Sequence, residues 1–431
     1  MQLTNIVVNQ SISPEIEMPL SWTRLFYLEK EYGDSFFILD IKKFESNYQE
    51  FLQAFRAIYP NTHLGYSYKT NYIPKLCQSV NFMGGYAEVV SQMEYDLAIA
   101  IGVPPSRIIF NGPLKYSEDI ERAILAGSIV NLDCLEEVDI VTALARRLPD
   151  QQIAVGLRCN LDVVGIGRIS RFGFDVEGGA LDDVFKVFRE LNNCSVLGLH
   201  CHISSPTRSV ESYKLRTQKL IELSDYYFQE KPPQFIDVGG GFFGKMNDDL
   251  KAQFDCYIPS YQEYAEAIAP QLKSRFPGNY TPELIVEPGV AVVADVLKFV
   301  AKVVGMKTVQ SRQIALVVGS IHNIKPTLTG KELSLQVYRS EENSDHKNIS
   351  PPVDLVGYTC MEHDCLYNNY SGQIGIGDYV VFDNIGAYTV VFKPPFIRPN
   401  PPIISYDSTL NEYDLIRRRE TTKDVFSTYV I

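Results

Sequence analysis

The chain has 431 residues, 45% hydrophobic and 21% charged, a composition that suits a soluble globular protein of two or three domains. Its net charge of −12 argues against a nucleic-acid partner, because neutralising phosphates needs a Lys/Arg surface. No run of about 18 apolar residues offers a membrane span, and Met1-Gln2-Leu3-Thr4-Asn5 lacks the basic start and apolar stretch of a signal peptide, so the expected compartment is the cytoplasm.

Residues 1–40 form an N-terminal segment. From Leu64 to Glu287 short β-type runs alternate with helical stretches, and eight strands are predicted at 64–68, 86–89, 108–110, 129–131, 153–158, 196–202, 235–238 and 284–287. Most are apolar on both alternating faces and are separated by amphipathic stretches such as 91–101 and 209–228, as parallel strands beneath helices require. Eight βα units in roughly 230 to 250 residues match a TIM barrel, placed at residues 41–292. Beyond it, 290–304, 313–318, 335–338, 354–358 and 379–382 are strand-like with Gly and Pro between them. These runs predict a C-terminal β-rich domain over residues 293–431, against which residues 1–40 pack. The polar stretch 339–352 is expected as an exposed loop and 394–402 as an extended proline-rich segment. The eight cysteines show no Cys-x-x-Cys pair or zinc spacing, so they are expected to be reduced, mostly buried hydrophobes with no metal site.

A TIM barrel carries its reactive groups at the C-terminal ends of its strands. Lys69 falls at the end of the first predicted strand, Glu88 of the second, His202 of the sixth and Glu287 of the eighth, while Gly239-Gly240-Gly241 follows the seventh. A lone lysine is usually a solvated surface charge. Directly after Gly65-Tyr66-Ser67-Tyr68 its amine is expected to be partly desolvated, which lowers its pKa and favours the neutral nucleophile that forms an imine with an aldehyde. The triple glycine is either a loop that needs unusual backbone angles or an anion nest where barrel enzymes bind phosphate. Glu287 before Pro288-Gly289 reads equally as an acidic turn.

In order along the chain, Gly65-Tyr66-Ser67-Tyr68-Lys69-Thr70-Asn71, His200-Cys201-His202-Ile203-Ser204-Ser205, Gly239-Gly240-Gly241, Glu287-Pro288-Gly289 and Gly357-Tyr358-Thr359-Cys360 resemble the motifs of one family. It is the fold-type III decarboxylases that use pyridoxal 5'-phosphate (PLP), among them diaminopimelate, ornithine and arginine decarboxylases. The resemblance extends from about Phe36 to Arg417-Arg418-Arg419-Glu420-Thr421. It implies an α/β fold, an alanine-racemase-like TIM (β/α)8 barrel plus a C-terminal β-rich domain, with PLP as cofactor and a small-molecule amino-acid substrate. Lys69 then matches the lysine that holds PLP, and Ser205, with the triple glycine, the groups on its phosphate; Ser204 stands where the family has glycine. His202, rather than His200, matches the histidine stacked on the pyridine ring; its alternative is a satisfied core histidine. Glu287 matches the glutamate that keeps the ring nitrogen protonated, so that the ring can accept an electron pair. Pro288, Gly289 and Val290 complete that cofactor-binding turn.

The resemblance places Glu88, in Glu88-Val89-Val90-Ser91, near the cofactor, with Ser91 capping the next helix. Arg158 belongs to a charge network there or to a plain structural ion pair, and Arg171-Phe172-Gly173 is a family segment or a packing turn. Tyr388, in Gly386-Ala387-Tyr388, reaches phosphate or substrate. Cys360 matches a cysteine that enters the partner subunit's site and protonates Cα, which implies a homodimer with shared sites; a free cysteine is otherwise a buried hydrophobe.

The pattern breaks at the substrate end. Val290 replaces the arginine of Glu-Pro-Gly-Arg, so a phosphate- or substrate-pairing cation is missing. Lys325 and Thr329 stand for an arginine and a tyrosine, and Met361 displaces Glu362 by one position. Lys325, Glu362 and Tyr388 are the expected substrate contacts. The expected substrate is therefore an amino acid or amino-acid conjugate other than diaminopimelate, free or carrier-tethered, in a specialised biosynthetic pathway. Two rivals stand beside this reading: a racemase of the same fold, against which Glu287 argues, and a catalytically silent binding protein.

Overall fold

The computed structural model describes residues 18–163, 170–203, 205–278, 280–340 and 352–430. The opening Met1 to Asn5, Ser204 and positions 341–351 of the polar stretch lie outside the described residues. Among the described residues no helix is long and apolar enough to cross a membrane. All eight cysteines are free thiols; Cys77, Cys159 and Cys201 are buried and Cys360 is exposed.

The first strand, β1 (Ser35–Asp40), is buried along its whole length. The eight barrel strands that follow are parallel. They are β2 (Thr62–Ser67), β3 (Tyr86–Val89), β4 (Ile108–Phe110), β5 (Ile129–Leu132), β6 (Ile153–Asn160), β8 (Cys194–His200), β9 (Phe235–Asp237) and β10 (Glu283–Val286), with a two-residue β7 (Phe174–Asp175) alongside the end of β6. Pairing runs in that order and closes where β10 meets β2, with Val286 beside Leu64. Amphipathic helices cover the outside, for example Val210–Tyr227, which starts where the Ser209 hydroxyl accepts the Ser212 N–H. Gly156 of β6 is needed for close approach, because a Cβ there would stand 1.9 Å from Asn131 Oδ1. Its absence lets the polar Asn131 side chain occupy the barrel interior.

The second sheet holds β11 (Leu297–Val309), β12 (Arg312–Val317), β13 (Leu335–Tyr338), β14 (Val353–Val356), β15 (Cys365–Tyr370), β16 (Tyr379–Phe382), β17 (Ile403–Asp407) and β18 (Glu412–Arg417). β1 lies inside it, antiparallel to β11 and parallel to β17. Strand alternation sends β1 residues to opposite cores. Phe37 and Leu39 join the main core, whereas Phe36 and Ile38 pack with Leu25 and Leu28 of the helix Trp22–Tyr32.

Several boundaries differ from the sequence reading. Residues 290–293 were expected in a strand but wind into a helical turn after Gly289, and the strand starts at Leu297. The Val292 carbonyl there accepts from Asn47 Nδ2 at 3.4 Å, so contact with an earlier helix decides the local conformation over β propensity. β2 stops at Ser67, and Tyr68–Thr70 form a 3-10 turn. β8 stops at His200, two residues before His202, and β14 stops at Val356 because Asp364 gathers the loop beyond it. β1, β15, β17 and β18 escaped sequence reading; β15 and β18 carry polar residues on both faces.

Phe37 and Phe299 lie in register across β1 and β11, their ring centroids 5.0 Å apart and both side chains buried. Phe37→Ala is expected to cost about 3–5 kcal/mol through lost transfer energy and a residual cavity. A lowered urea midpoint for the variant checks this; an unchanged midpoint contradicts it.

Candidate active site

The strand ends converge at one mouth of the barrel. Lys69 sits in the 3-10 turn Tyr68–Thr70, one turn past the end of β2. The β-rich part of the chain is fastened to this turn. Thr70 O accepts the Tyr388 N–H at 2.9 Å, and Asn71 Nδ2 donates to Gly386 O at 2.8 Å. Tyr388 has φ of 59°, a left-handed conformation rare for a non-glycine residue, so its place beside Lys69 is imposed by these contacts.

A polar network crosses the mouth. Glu88, the penultimate residue of β3, accepts from Lys69 Nζ at 2.5 Å, from the Ser67 hydroxyl and from Asn111 Nδ2 at 3.1 Å. Asn111 Nδ2 also donates to Glu287 Oε1 at 2.6 Å, and its own Oδ1 accepts from Asn131 Nδ2 at 2.8 Å. On its other side Glu287 Oε2 lies 3.4 Å from His200 Nε2. Burial alone would raise the Glu287 carboxyl, but His200, then the Lys69 ammonium, more than offset it and hold Glu287 ionised. The neighbouring Asp237 behaves oppositely: burial, and then the Glu287 charge, push it well above the usual carboxylate range. Two adjacent buried carboxyls are thus pushed in opposite directions.

Lys69 departs from the sequence expectation. Burial lowers its ammonium, but the charges of Glu88 and Glu287 outweigh burial and raise it above the ordinary lysine range. The amine is an ammonium paired with Glu88, and its reactivity depends on handing a proton to that partner.

His202 lies beyond β8, where its Nδ1 accepts the Gly240 N–H at 2.9 Å. Burial, then the charges of Lys69 and Arg158, hold it well below the usual histidine range, so the ring is neutral with its proton on Nε2. The triple glycine is conformationally demanding: Gly239 and Gly241 have φ of 68° and 97°, and a Cβ on Gly240 would stand 2.2 Å from Glu287 O. Two of its N–H groups serve the protein, since Gly239 donates to Asp237 Oδ1 at 2.8 Å and Gly240 to His202. Among the described residues none accepts from the Gly241 N–H. Ser205 is buried, its Oγ accepting the Arg208 N–H at 3.0 Å. Arg158 donates to His202 O at 3.3 Å, reaches Asp133 at 3.4 Å and lies 4.6 Å over the Phe172 ring, so Phe172 and Arg158 brace one another. Pro288 O accepts the Ser67 N–H at 3.2 Å, and a Cβ on Gly289 would meet Thr70 Oγ1 at 2.1 Å, so the turn before Val290 packs directly on the Lys69 turn.

Lys69, Glu88, His202, Arg158, the glycines, Glu287 and Tyr388 are therefore gathered. Cys360 and Glu362 are not: both lie in a groove of about 580 Å³ whose lining runs only from Gly305 to Asp364. Asp364 fixes that loop by accepting the N–H and hydroxyl of Thr359, at 3.0 and 2.6 Å. Lys325 is buried, its Nζ 3.2 Å from Lys331 O and 4.0 Å from Glu332. The sequence reading passed over Asn111, Asn131 and Asp237 as site residues. Their signal was a polar side chain in or beside an apolar strand, which has to find a buried partner.

The family model described as pyridoxal-dependent decarboxylase, pyridoxal binding domain, matches residues 42–294. A diaminopimelate decarboxylase of Methanocaldococcus jannaschii is 24% identical over 419 residues, spanning 94% of this chain and 93% of the relative. In fold, the chain is similar to a solved M. jannaschii diaminopimelate decarboxylase, with TM-score 0.82 at 23% identity over 94% of both chains. It is also similar to the arginine decarboxylase of Paramecium bursaria Chlorella virus, with TM-score 0.70 at 21% identity over 86% of this chain and 95% of that one. With the match to the pyridoxal-binding domain spanning most of a barrel whose strand ends gather a lysine, a buried ionised glutamate and a glycine loop, the chain belongs to the fold-type III PLP-dependent amino-acid decarboxylases.

Proposed function

We propose that this decarboxylase releases carbon dioxide from an amino acid or amino-acid conjugate other than diaminopimelate, with Lys69 carrying the cofactor and Glu287 facing its ring nitrogen. The observation that carries the assignment is the chain Lys69, Glu88, Asn111, Glu287, in which an amine and a buried ionised carboxylate end one hydrogen-bonded network. The residues fit PLP: a lysine amine for the aldehyde, a carboxylate for a ring N–H, a neutral imidazole for the ring face, and the Gly241 N–H with the Ser205 hydroxyl for the phosphate. Bound PLP supplies a sink for the electron pair left when carbon dioxide departs.

The chain's own residues do the rest. Glu88, 2.5 Å from Lys69 Nζ, is placed to take the ammonium proton, which would leave the amine free for an aldehyde. Asn111 orients Glu88 and Glu287 together through one amide nitrogen. Glu287, held ionised, would keep a proton on the ring nitrogen of bound PLP. His202 offers a flat face whose orientation the Gly240 N–H fixes. Ser205 accepts from Arg208 and keeps its own proton for the phosphate. Tyr388 closes the site from the β-rich part of the same chain.

Cys360 delivers a proton to Cα from a second subunit in this reading, and the assembly is a homodimer. Its groove supports this: no described barrel residue lines it, so the thiol needs another chain to meet a Lys69. At the substrate end, Val290, Lys325, Thr329 and Met361 replace polar groups that the resemblance assigns to phosphate or distal contacts. Lys325 remains the candidate partner of a distal carboxylate, exchanging its Lys331 carbonyl for it, which favours an acidic or citrate-like conjugate.

Borohydride reduction of the PLP-loaded protein and peptide mass mapping are expected to find a pyridoxyl group on Lys69; a label on another lysine sinks the assignment. Mixing Lys69→Ala with Cys360→Ala subunits is expected to restore activity through heterodimers holding one intact site, and no recovery after demonstrated subunit exchange rejects the shared-site reading. Diaminopimelate is expected to show kcat/KM at least roughly a hundredfold below the best acidic conjugate, the scale of discrimination when a charged group finds no partner. Efficient turnover of diaminopimelate, or preference for ornithine or arginine, refutes the acidic-end proposal.

A further inference from the structure

Val290 leaves the phosphate end of the site without the cation that the resemblance calls for. A phosphate held only by neutral N–H and O–H donors lacks the stronger, charge-assisted contact. If Ser205 and Gly241 mark the phosphate's place, a reading that rests on the function proposed above, one cation spans both. The Arg208 N–H donates to Ser205 Oγ at 3.0 Å, and its Nη1 donates to the carbonyl of Phe242, the residue after Gly241, at 3.3 Å. Its carbonyl accepts from the Tyr264 hydroxyl at 2.8 Å, and its guanidinium lies 4.7 Å from the Phe243 ring centroid.

Arg208 is held against its own preference. Its φ of 45° lies in the left-handed region, which an arginine occupies only when its surroundings compel it. Its charge is also unanswered: among the described residues no carboxylate pairs with it, and the single guanidinium hydrogen bond goes to a carbonyl. The other arginines near the site are committed, Arg158 to Asp133 and Arg216 to the carbonyls of Cys201 and Val238. A half-buried guanidinium with unused donors, tied to both loops that meet the phosphate, suits an anion.

We infer that Arg208 supplies the phosphate-binding cation in place of the arginine absent at Val290, the charge having moved from the loop after β10 to the loop after β8. The test is titration of full-length apoprotein with PLP and with pyridoxal, which lacks the phosphate. Arg208→Gln is expected to weaken PLP roughly 10- to 100-fold, the worth of one charge-assisted contact, and to change pyridoxal affinity less than about threefold. Val290→Arg added to Arg208→Gln is expected to recover most of the PLP affinity.

Equal losses for PLP and pyridoxal would show a merely structural role and overturn the inference, as would an unchanged PLP affinity. Should Arg208→Gln fail to fold, Val290→Arg alone decides: tightening of PLP beyond about tenfold means that the phosphate lacked a cation and overturns the inference, whereas little change supports it. Absence of PLP binding by the unaltered chain defeats the proposed function itself, an outcome distinct from any pattern among the variants.

Discussion

Two carboxylates buried in one barrel mouth set the terms for the rest of the structure. Glu88 and Glu287 are 1% and 3% exposed, and an unpaired buried carboxylate loses several kcal/mol of hydration. Each must be met by charge or hydrogen bonds that arrive from different strands. Lys69 and Ser67 meet Glu88, His200 meets Glu287, and Asn111 meets both. Burial and the Glu287 charge push Asp237 toward its protonated form, which eases the surplus. The same economy explains why Gly156 is small, since Asn131 must enter the interior to steady Asn111. The polar centre is thus a single unit spread over seven strands and the loops that follow them, and removing any member leaves another buried group unmatched.

Much of this was legible in the chain. All eight barrel strands were found because parallel strands buried on both faces read as apolar runs, and Lys69, Glu88, His202 and Glu287 stood out as polar groups at their ends. The family motifs added the cofactor, which the residues alone would have left as an unidentified aldehyde with a phosphate. What was not legible depended on contacts between distant segments. The protonation of Lys69 was misjudged because burial could be guessed from neighbours in sequence, whereas the nearness of Glu88, nineteen positions away, could not be weighed against it. β15 and β18 were missed because their polar faces carry no period-two signal, and β1 because a six-residue run before a helix does not announce its partners.

The two sheets divide the work. The barrel holds the amine, the carboxylates and the glycine loop, while the second sheet sends Tyr388 to the Lys69 turn and carries Cys360 and Glu362 on a separate face. The departures Lys325, Thr329 and Met361 all lie between strands of the second sheet, apart from the barrel ends.

β1 carries a consequence for how the protein is made. It pairs on one side with β11 and on the other with β17, so Phe37 lies beside both Phe299 and Ile403. On the ribosome, residues 35–40 emerge long before residues 403–406, their second neighbour. The intervening barrel can close first, because strands β2 to β10 all precede β11 and β17 in the chain, but β1 waits with an open hydrogen-bonding edge until the C-terminal strands arrive. Truncation near residue 400 would thus leave an apolar strand edge uncovered inside an otherwise assembled sheet, and self-association through that edge, rather than simple unfolding, is the failure such a nascent or clipped chain faces.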